Sequence, residues 1–382
     1  MRKNRTLMCF AAIFLSFIVN FAFFSSMHNN ECVAVDNEKM TDARAMMVVE
    51  RSTGRKIFSF NEHEKLAMAS TTKIITAIYV IEHCEDLDKV IQVPKSATKI
   101  SGTSIGLVEG EHLTIRELLY GLMLRSGNDS AVALAIATSG SEEQFVSDVN
   151  NFLQEKGFVE THICNPHGLT GKEHYTTASD LAKITAYAMN NEIFREIVST
   201  KEMKISNELN SKYNRNLKNK NKLLSNYEGA DGVKTGFTMK AGRCFVGSAT
   251  RNNMQLICVL LNCVPMFEDC EMLLDKGFDM YQKCNLIEKG KQYFVDTTNG
   301  RKAFVSDIDF SYPLSKQEKQ NVSLKIVMGD ENQTNEKGQS CLAEMQIYLE
   351  NQLIFSHKIY NINIIENSGS IADNIQKIVK EM

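Results

Sequence analysis

The stretch Ser70-Thr-Thr-Lys73 opens a segment of strong helical periodicity, in which Ile74, Ile75, Ile78 and Ile81 share one face. A serine and a lysine three positions apart lie on the same helical face, about one turn from each other. The lysine can act as a base for the serine only if its pKa falls far below the reference value near 10.4. The stretch therefore predicts a serine nucleophile, activated by lysine, at the start of a helix.

The same spacing occurs at Ser96-Ala-Thr-Lys99, where it carries no such prediction. That pair follows Pro94 in a stretch without helical apolar periodicity, and nothing near it completes a site. The Ser70 stretch differs because two further polar strings follow it in order. Ser126-Gly-Asn128 stands at a helix boundary, and Lys234-Thr-Gly236 precedes a strand. Together the three strings are the parts of a serine acyl-transfer enzyme that uses lysine as its base.

Each string has a predicted role. Lys234 is expected close enough to Lys73 for its charge to help hold that amine neutral. Ser126 is expected between the two lysines, relaying a proton to the leaving group, and Asn128 is expected to hold the substrate peptide and orient Lys73. Lys234-Thr-Gly236 belongs on an edge strand, where its glycine lets a substrate backbone approach and its threonine offers a hydroxyl to a carboxylate.

The order of patterns predicts an α+β fold. Met46–Val49 and Lys56–Phe60 alternate as strands, and strand patterning returns at Cys244–Ala249 and Met254–Val264. Helical segments fill the middle, at 114–124, 129–139, 142–156 and 179–190, and a closing helix runs from Met266 to about Tyr281. One antiparallel sheet covered by helices, with a mainly helical lobe inserted, is the simplest arrangement.

From about Leu286 the chain changes to short strands at close spacing, which predict a small all-β module. They are expected at Tyr293–Val295, Ala303–Val305, Val322–Val327, Ala343–Leu349 and Leu353–Ile359. The tail from Ile371 has one apolar helical face and no net basic charge, so it packs on its own domain or makes peripheral membrane contact. The predicted limits are a leader over 1–34, a catalytic domain over 35–284, a β domain over 285–366 and a short amphipathic tail over 367–382.

The N-terminus has the pattern of a targeting segment. Basic residues precede an apolar run from Leu7 to Phe24, and the small-residue site Cys32-Val33-Ala34 follows. A signal peptide cleaved after Ala34 fits, as does an uncleaved anchor, and either predicts an extracytoplasmic protein, secreted or associated with the cell membrane. The net charge of −3 gives no reason to expect nucleic acid as a partner. The cysteines lie in apolar stretches, so no disulfide is predicted.

A cluster of His162, Cys164, His167 and His174 raises the alternative of a zinc site. The chain has no His-Glu-x-x-His pair on a helix, and Asn165-Pro-His-Gly-Leu169 is typical of a tight turn. No metal and no cofactor are therefore predicted. The basic run Lys212–Lys222 is interpreted as a solvated loop.

The chain resembles the low-molecular-weight penicillin-binding proteins, which are serine-type D-alanyl-D-alanine carboxypeptidases, and in particular their sporulation-associated branch in Gram-positive bacteria. The resemblance runs from about Ala43 to Tyr281 and is looser in the β module. Besides the three strings it rests on several ordered motifs, which are Met68–Ala77, Ser101-Gly-Thr-Ser-Ile-Gly-Leu107, Ser126–Ala131, Asn165-Pro-His-Gly-Leu169, Thr177-Ala-Ser-Asp180 and Asp231–Thr238.

This resemblance implies a penicilloyl-serine-transferase fold, like that of β-lactamases and transpeptidases, with Ser70 as the acylated nucleophile and Lys73 as its general base. The backbone N–H groups of Ser70 and Phe237 would form the oxyanion hole. Thr238 would help bind the terminal carboxylate. The implied substrate is the D-alanyl-D-alanine end of a peptidoglycan stem peptide, and β-lactam antibiotics would act as inhibitors by acylating the serine.

Two departures and two alternatives accompany the resemblance. Some relatives hold the carboxylate with an arginine after the second core strand, but residues 252–275 contain no Arg or Lys. The tail is also less amphipathic than the anchor of relatives. A β-lactamase shares the three strings, but its fast deacylation uses a glutamate in a loop that here, at Thr161–Lys172, contains no Asp or Glu. A cell-wall binding protein without turnover is the non-enzymatic alternative, although a pure binder needs no Lys73.

Overall fold

The computed structural model describes residues 40–205, 214–297, 300–329 and 341–360. The predicted leader over 1–34 and the tail over 367–382 lie outside this range. The chain divides into two compact units, the first ending at Asp279 and the second beginning at Met280. The change in sequence character puts the boundary slightly later, after residue 284. Across the described residues, no helix combines the length and apolar character that a membrane crossing needs.

The first unit is built on five antiparallel strands, which are β1 (Ala45–Glu50), β2 (Lys56–Phe60), β7 (Ala230–Thr238), β8 (Gly242–Arg251) and β9 (Met254–Leu261). They form one sheet in the order β2-β1-β9-β8-β7. Both β1 and β9 are buried along their whole length, and they pair from Ala45 opposite Leu261 to Glu50 opposite Leu256. The two ends of the unit therefore meet in one sheet, as the sequence pattern predicts, and β7 is left at an edge.

Helices fill the middle of the unit, at positions close to those predicted. In the described residues they are α1 (Thr72–His83), α2 (Ile115–Leu124), α3 (Asn128–Ser139), α4 (Glu142–Glu155), α5 (Ala178–Ala188), α6 (Glu192–Ser199), α7 (Leu223–Asn226) and α8 (Met266–Met280). The helix starts follow from capping: Thr114 and Glu117 form a reciprocal capping box, and Ser141 accepts from the Gln144 N–H. The sequence pattern did not predict α6, which begins at the Asn191 cap shortly after α5 ends at Ala188.

The small hairpins of this unit were less predictable from the sequence. They are formed by β3 (Val90–Gln92) with β4 (His112–Thr114), and by β5 (Glu202–Ile205) with β6 (Arg215–Lys218). The second hairpin corrects the interpretation of Lys212–Lys222 as a solvated loop. Arg215 lies in β6 with its side chain only 8% exposed, because it pairs with the buried carboxylate of Glu111. An ion pair between residues so distant in sequence leaves no local pattern.

The described part of the second unit consists of strands apart from a 3₁₀ turn at Glu318–Asn321, in agreement with the predicted small all-β module. Its strands are β10 (Gln282–Ile287), β11 (Gln292–Thr297), β12 (Gly300–Val305), β13 (Phe310–Leu314), β14 (Val322–Met328), β15 (Ala343–Leu349) and β16 (Gln352–Ile359). They form two two-stranded ladders and the three-stranded sheet β14-β15-β16. Strands β10 and β13, which pair with each other, were not predicted from the sequence. Pro313 lies in β13, and a proline has no N–H to donate to a neighbouring strand, so its presence argues against a strand. In the hydrophobic core of this unit, the rings of Phe310 and Phe355 stack with their centroids 3.8 Å apart.

Candidate active site

Ser70 lies in a tight turn ahead of α1. A 3₁₀ turn spans Ala69–Thr71, and α1 begins at Thr72. Two side chains tie the turn to itself, because the Thr71 hydroxyl donates to the Met68 carbonyl at 2.6 Å and the Thr72 hydroxyl donates to the Ala69 carbonyl at 2.7 Å. Ala69 has a φ of +47°, a conformation that costs an L-residue energy and persists only where its surroundings hold it. We call residues 68–72 the Ser70 turn.

Lys73 is completely buried one helical turn beyond Ser70, and its Nζ has three partners. It lies 3.1 Å from Ser70 Oγ, 2.7 Å from Asn128 Oδ1 and 2.6 Å from the backbone carbonyl oxygen of His167. None of these partners is anionic. The structure therefore offers this buried amine hydrogen bonds without an opposite charge in contact with it.

Burial and neighbouring cations both lower the pKa of Lys73, and it falls well below its ordinary value. Burial is the largest cause, and the charges of Lys234 and Lys220 lower the pKa further, while Asp129 raises it. Lys234 is itself 1% exposed, and burial with the charge of Lys220 lowers its pKa to about 7. The influence of Lys234 was predicted from the sequence, but that of Lys220, which belongs to the basic run, was not.

Ser126 and Asn128 stand where α2 ends and α3 begins. Ser126 has a φ of +65° and is 5% exposed, and its hydroxyl has no hydrogen-bond partner among the described residues. The Asn128 amide nitrogen donates to the Ser101 carbonyl at 2.7 Å, and the Asn128 backbone N–H donates to the Thr103 carbonyl at 2.7 Å. The motif beginning at Ser101 therefore packs directly on Asn128.

Asp129 fixes that same loop and was not singled out from the sequence. Its buried carboxylate accepts from the Ser104 hydroxyl at 2.5 Å and from the backbone N–H groups of Ile105 and Leu107 at 3.0 Å each. Three donors on one carboxylate hold the loop over 101–107 against the start of α3. An acidic residue directly after the Ser-x-Asn string is the signal that could have identified it.

The edge strand β7 runs beside the Ser70 turn. A methyl group added to Gly236 would lie 3.0 Å from Ser70 N and 3.1 Å from Thr71 N, so the glycine allows the strand backbone to reach the turn. The sequence pattern assigns this glycine to the approach of a substrate backbone, and the structure adds its close approach to the Ser70 turn. Thr235 is half-buried, and Phe237, the next residue after Gly236, is 59% exposed.

The loop from Thr161 to Tyr175, which we call the histidine loop, covers the Ser70 turn from the other side. Besides the His167 carbonyl on Lys73, the Pro166 carbonyl accepts from the Thr76 hydroxyl at 2.7 Å. The predicted tight turn is present, because Asn165 Oδ1 accepts from the Gly168 N–H at 2.7 Å. No group of three or more metal-ligating side chains assembles in the part of the chain that is described.

Two further residues complete the surroundings of the edge strand. Thr238 Oγ1 accepts from the Ala241 N–H at 3.1 Å and lies 3.5 Å from the hydroxyl of Thr170 in the histidine loop. Arg243 on β8 stands directly opposite Phe237, with its guanidinium carbon 5.9 Å from the ring centroid. Arg243 is exposed, and no carboxylate pairs with it among the described residues. Arg243 was not predicted as a site residue, although the β7–β8 hairpin brings position 243 back beside the Lys-Thr-Gly string.

Ser96 and Lys99, the decoy pair with the same spacing as Ser70 and Lys73, lie outside the candidate active site. Ser96 and Lys99 are both exposed, at a short 3₁₀ turn over Ala97–Lys99. In contrast, the Ser70 turn, the start of α3, the edge strand and the histidine loop meet around one buried lysine. An antiparallel sheet with this site at its edge defines a serine acyl-transfer enzyme of the penicilloyl-serine-transferase class.

Comparison with known proteins identifies the family. The model of the S11 peptidases, described as D-alanyl-D-alanine carboxypeptidase, matches residues 32–264. The D-alanyl-D-alanine carboxypeptidase DacF of Bacillus subtilis (strain 168) is 33% identical over 280 residues, which are 69% of this chain and 72% of that protein. The chain therefore belongs to the D-alanyl-D-alanine carboxypeptidase family of serine-type peptidases.

Solved structures agree with the fold. Penicillin binding protein 5 from Haemophilus influenzae superposes with a TM-score of 0.71 at 25% identity, covering 87% of this chain and 99% of that one. The Streptomyces K15 DD-transpeptidase superposes with a TM-score of 0.60 at 30% identity, covering 63% and 98%. The α+β fold class and the family resemblance predicted from the sequence are thus confirmed.

Proposed function

We propose that this protein removes the terminal D-alanine from D-alanyl-D-alanine stem peptides of peptidoglycan through an acyl-enzyme on Ser70, and that β-lactam antibiotics acylate the same serine. The observation that carries the proposal is the hydrogen bonding of Lys73. Two of its three partners, Asn128 Oδ1 and the His167 carbonyl, can only accept a hydrogen bond. They use both N–H groups of a neutral amine and leave its lone pair for the third partner, Ser70 Oγ.

The arrangement supports a two-step acyl transfer. Ser70 Oγ attacks the carbonyl carbon of the scissile bond while Lys73 takes its proton. The backbone N–H groups of Ser70 and Phe237 receive the oxyanion, since Gly236 brings this strand against the turn. Ser126 relays a proton to the leaving nitrogen, so the C–N bond breaks and D-alanine departs. A water molecule then adds to the ester and restores the Ser70 hydroxyl.

Substrate binding falls to the edge strand. Strand β7 carries Lys234, Thr235, Gly236 and Phe237. Among the described residues it pairs with no strand other than β8, so its other edge suits an extended peptide, which Asn128 would hold from the helical lobe. Thr235 and Thr238 present hydroxyls for the terminal carboxylate. Some relatives hold this carboxylate with an arginine, but residues 252–275 contain no Arg or Lys. The exposed Arg243 of β8 pairs with Phe237 of β7 and therefore lies beside the substrate-binding strand.

The setting of the reaction follows from the substrate and the leader. Peptidoglycan lies outside the cytoplasmic membrane, and the pattern over residues 1–34 supports export with or without cleavage after Ala34. The amphipathic pattern of 367–382 supports peripheral membrane contact, and the resemblance to the sporulation-associated branch supports a role in the spore wall. Expression restricted to sporulation would favour that role over general wall trimming.

Labelling with a fluorescent penicillin tests the nucleophile. The wild-type protein should form a covalent adduct and Ser70→Ala none, while Ser96→Ala, which removes the exposed decoy serine, should label like wild type. D-Alanine release from a pentapeptide ending in D-alanyl-D-alanine tests the reaction itself. Absence of Ser70-dependent labelling would instead favour a cell-wall binding protein of the same fold.

A β-lactamase activity is the second enzymatic candidate, and deacylation separates it from the first. Within the described residues, no carboxylate hydrogen-bonds to Ser70 or Lys73, and the histidine loop has no acid between 161 and 172. A penicilloyl adduct on Ser70 should therefore persist, and the steady-state hydrolysis of penicillin should be slow. Rapid turnover of penicillin would overturn this assignment.

A further inference from the structure

A buried chain of hydrogen bonds links the histidine loop to the Ser70 turn. The backbone N–H of Cys164 lies 3.0 Å from His174 Nδ1, and His174 Nε2 lies 2.8 Å from the Thr72 hydroxyl. That hydroxyl lies 2.7 Å from the Ala69 carbonyl oxygen. His174 is 6% exposed and Thr72 is fully buried, so water does not compete for these groups.

The chemistry of the partners fixes every proton in this chain. A backbone N–H can only donate, so Nδ1 of His174 must accept and is unprotonated. The proton of the neutral ring is then on Nε2, which donates to the Thr72 hydroxyl oxygen. That hydroxyl keeps its own proton for the Ala69 carbonyl, which can only accept. Burial lowers the pKa of His174 to about 4, which keeps the ring in this neutral form.

The chain of hydrogen bonds ends at Ala69, which has the least favourable backbone conformation in the Ser70 turn. Ala69 has a φ of +47° and directly precedes Ser70. Gly168 of the histidine loop lies against the same carbonyl, since a methyl group added to Gly168 would lie 1.9 Å from the Ala69 oxygen. The Ala69 peptide group is therefore held between the Thr72 hydroxyl and the backbone of the histidine loop.

We propose that His174 is a positioning residue for acylation, which orients the Thr72 hydroxyl, fixes the Ala69 carbonyl and so sets the place of Ser70 Oγ relative to Lys73. The proposal rests on the function proposed above. His174 does not touch the reacting atoms, and both of its ring nitrogens are engaged by protein groups. Use of this histidine as a metal ligand would break at least one of its two ring hydrogen bonds, to the Cys164 N–H or to the Thr72 hydroxyl.

Paired substitutions at the two ends of the hydrogen bond test the proposal. His174→Phe and Thr72→Val remove the bond with little change of volume, whereas His174→Gln and Thr72→Ser keep a donor and a hydroxyl. We expect the first two to slow acylation by a fluorescent penicillin about 10- to 100-fold, because small displacements of a reacting atom cost that much. For a pentapeptide substrate, kcat should fall and KM should stay within about twofold. The two conservative variants should remain within about threefold of wild type.

The double variant and a control from the same loop complete the design. Both substitutions break the same chain of hydrogen bonds. The double variant should therefore acylate less than threefold more slowly than His174→Phe alone. His162→Phe changes a half-buried histidine whose Nδ1 bonds to the Glu173 carbonyl, and it should acylate like wild type. If His174→Phe does not fold, the Thr72→Val and Thr72→Ser pair carries the test.

The possible outcomes separate this inference from the proposed function. A wild-type protein that fails to label contradicts the function itself. A labelled wild type with His174→Phe and Thr72→Val acylating at the same rate overturns the positioning role. Equal loss in all four variants, with a lower midpoint of thermal unfolding, also overturns it, because only general support of the fold would then be left.

Discussion

The Nζ atom of Lys73 lies 2.7 Å from Oδ1 of Asn128, 55 residues further along the chain. The orientation of that amide is fixed from its other end, because the Ser101 carbonyl can only accept and therefore takes the amide nitrogen at 2.7 Å. Lys73 thus faces an oxygen and must donate to it. The loop that begins at Ser101 sets the direction of a hydrogen bond on the base.

Asn128→Asp should impair acylation through the pKa of Lys73. A carboxylate in contact with the amine favours its charged form and raises the pKa that burial lowers. Since acylation needs the neutral amine, the rise of the acylation rate with pH should move to higher pH. The measurement is the second-order rate constant with a fluorescent penicillin between about pH 5 and 10.

A second carboxylate substitution controls for the added charge. Asn191→Asp introduces the same group at the cap of α6, where its oxygen accepts from the Phe194 N–H as the asparagine does. Its profile should match that of the wild type. If the acylation rate of Asn128→Asp rises over the same pH range as that of the wild type, the contact between residues 128 and 73 does not govern the protonation of Lys73.

Lys234→Gln should shift the same profile in the same direction by a different cause. The charge of Lys234 lowers the pKa of Lys73, so its removal raises that pKa and moves the rise of the rate to higher pH. The position of the rise should be analysed, not its height, because Lys234 also lies on the substrate-binding strand. Lys240→Gln removes an exposed cation two residues beyond β7 and should leave the position unchanged. A shift to lower pH in Lys234→Gln contradicts the electrostatic coupling.

Glu111→Gln should destabilise the first unit by about 3–5 kcal/mol, because it removes the carboxylate that pairs with a buried guanidinium. Arg215 contacts the Glu111 carboxylate at 2.5 and 2.8 Å and also donates to the Ile105 and Gly106 carbonyls. Denaturant unfolding measures the free energy. As a control, Arg44→Ala removes an exposed pair with Glu64 and should cost less than about 1 kcal/mol. Equal effects from both variants would contradict the difference in burial.

The sequence predicts this site well where a residue is tied to a local pattern. Lys73 lies one helical turn beyond Ser70, and Lys234 lies within β7 of the β7–β8 hairpin, so the element type places each side chain. The histidine loop is different, because its contacts with Thr72 and Lys73 join residues about 100 positions apart in the chain. The composition of the loop suggested metal ligation or a turn, and only the packed structure shows its contact with the Ser70 turn.

The same limit applies to the second unit and to the basic run. Five strands of the second unit follow from alternation in the sequence. Strands β10 and β13 form by pairing with each other, and no local pattern encodes that pairing. Arg215 and Lys220 looked like members of a solvated run, yet one is buried on Glu111 and the other lowers the pKa of both site lysines. Sequence spacing gives the chemistry of a basic run but not which of its cations the fold encloses.

Arg243→Ala should weaken binding of the substrate carboxylate more than it slows the chemistry. Arg243 pairs across the strands with Phe237, one residue beyond the Lys-Thr-Gly string, and no other exposed cation is paired with that part of β7 among the described residues. A hydrogen bond to a charged group is worth about 1.5–3 kcal/mol, so KM for a D-alanyl-D-alanine peptide should rise about 10- to 100-fold while kcat changes little. Arg243→Lys should recover part of the loss, because it keeps the charge without the planar fork.

Arg251→Ala is the matched control on the same strand. Its guanidinium pairs with Asp275 at 2.9 Å and packs on Tyr227, so it is engaged by the protein and should not reach the substrate. The decisive comparison uses a peptide whose terminal carboxylate is converted to an amide. If Arg243 binds that carboxylate, Arg243→Ala and wild type should process the amide peptide alike. If the KM of Arg243→Ala is still tenfold above that of the wild type with the amide peptide, Arg243 acts by packing on Phe237, and Thr235 and Thr238 bind the carboxylate.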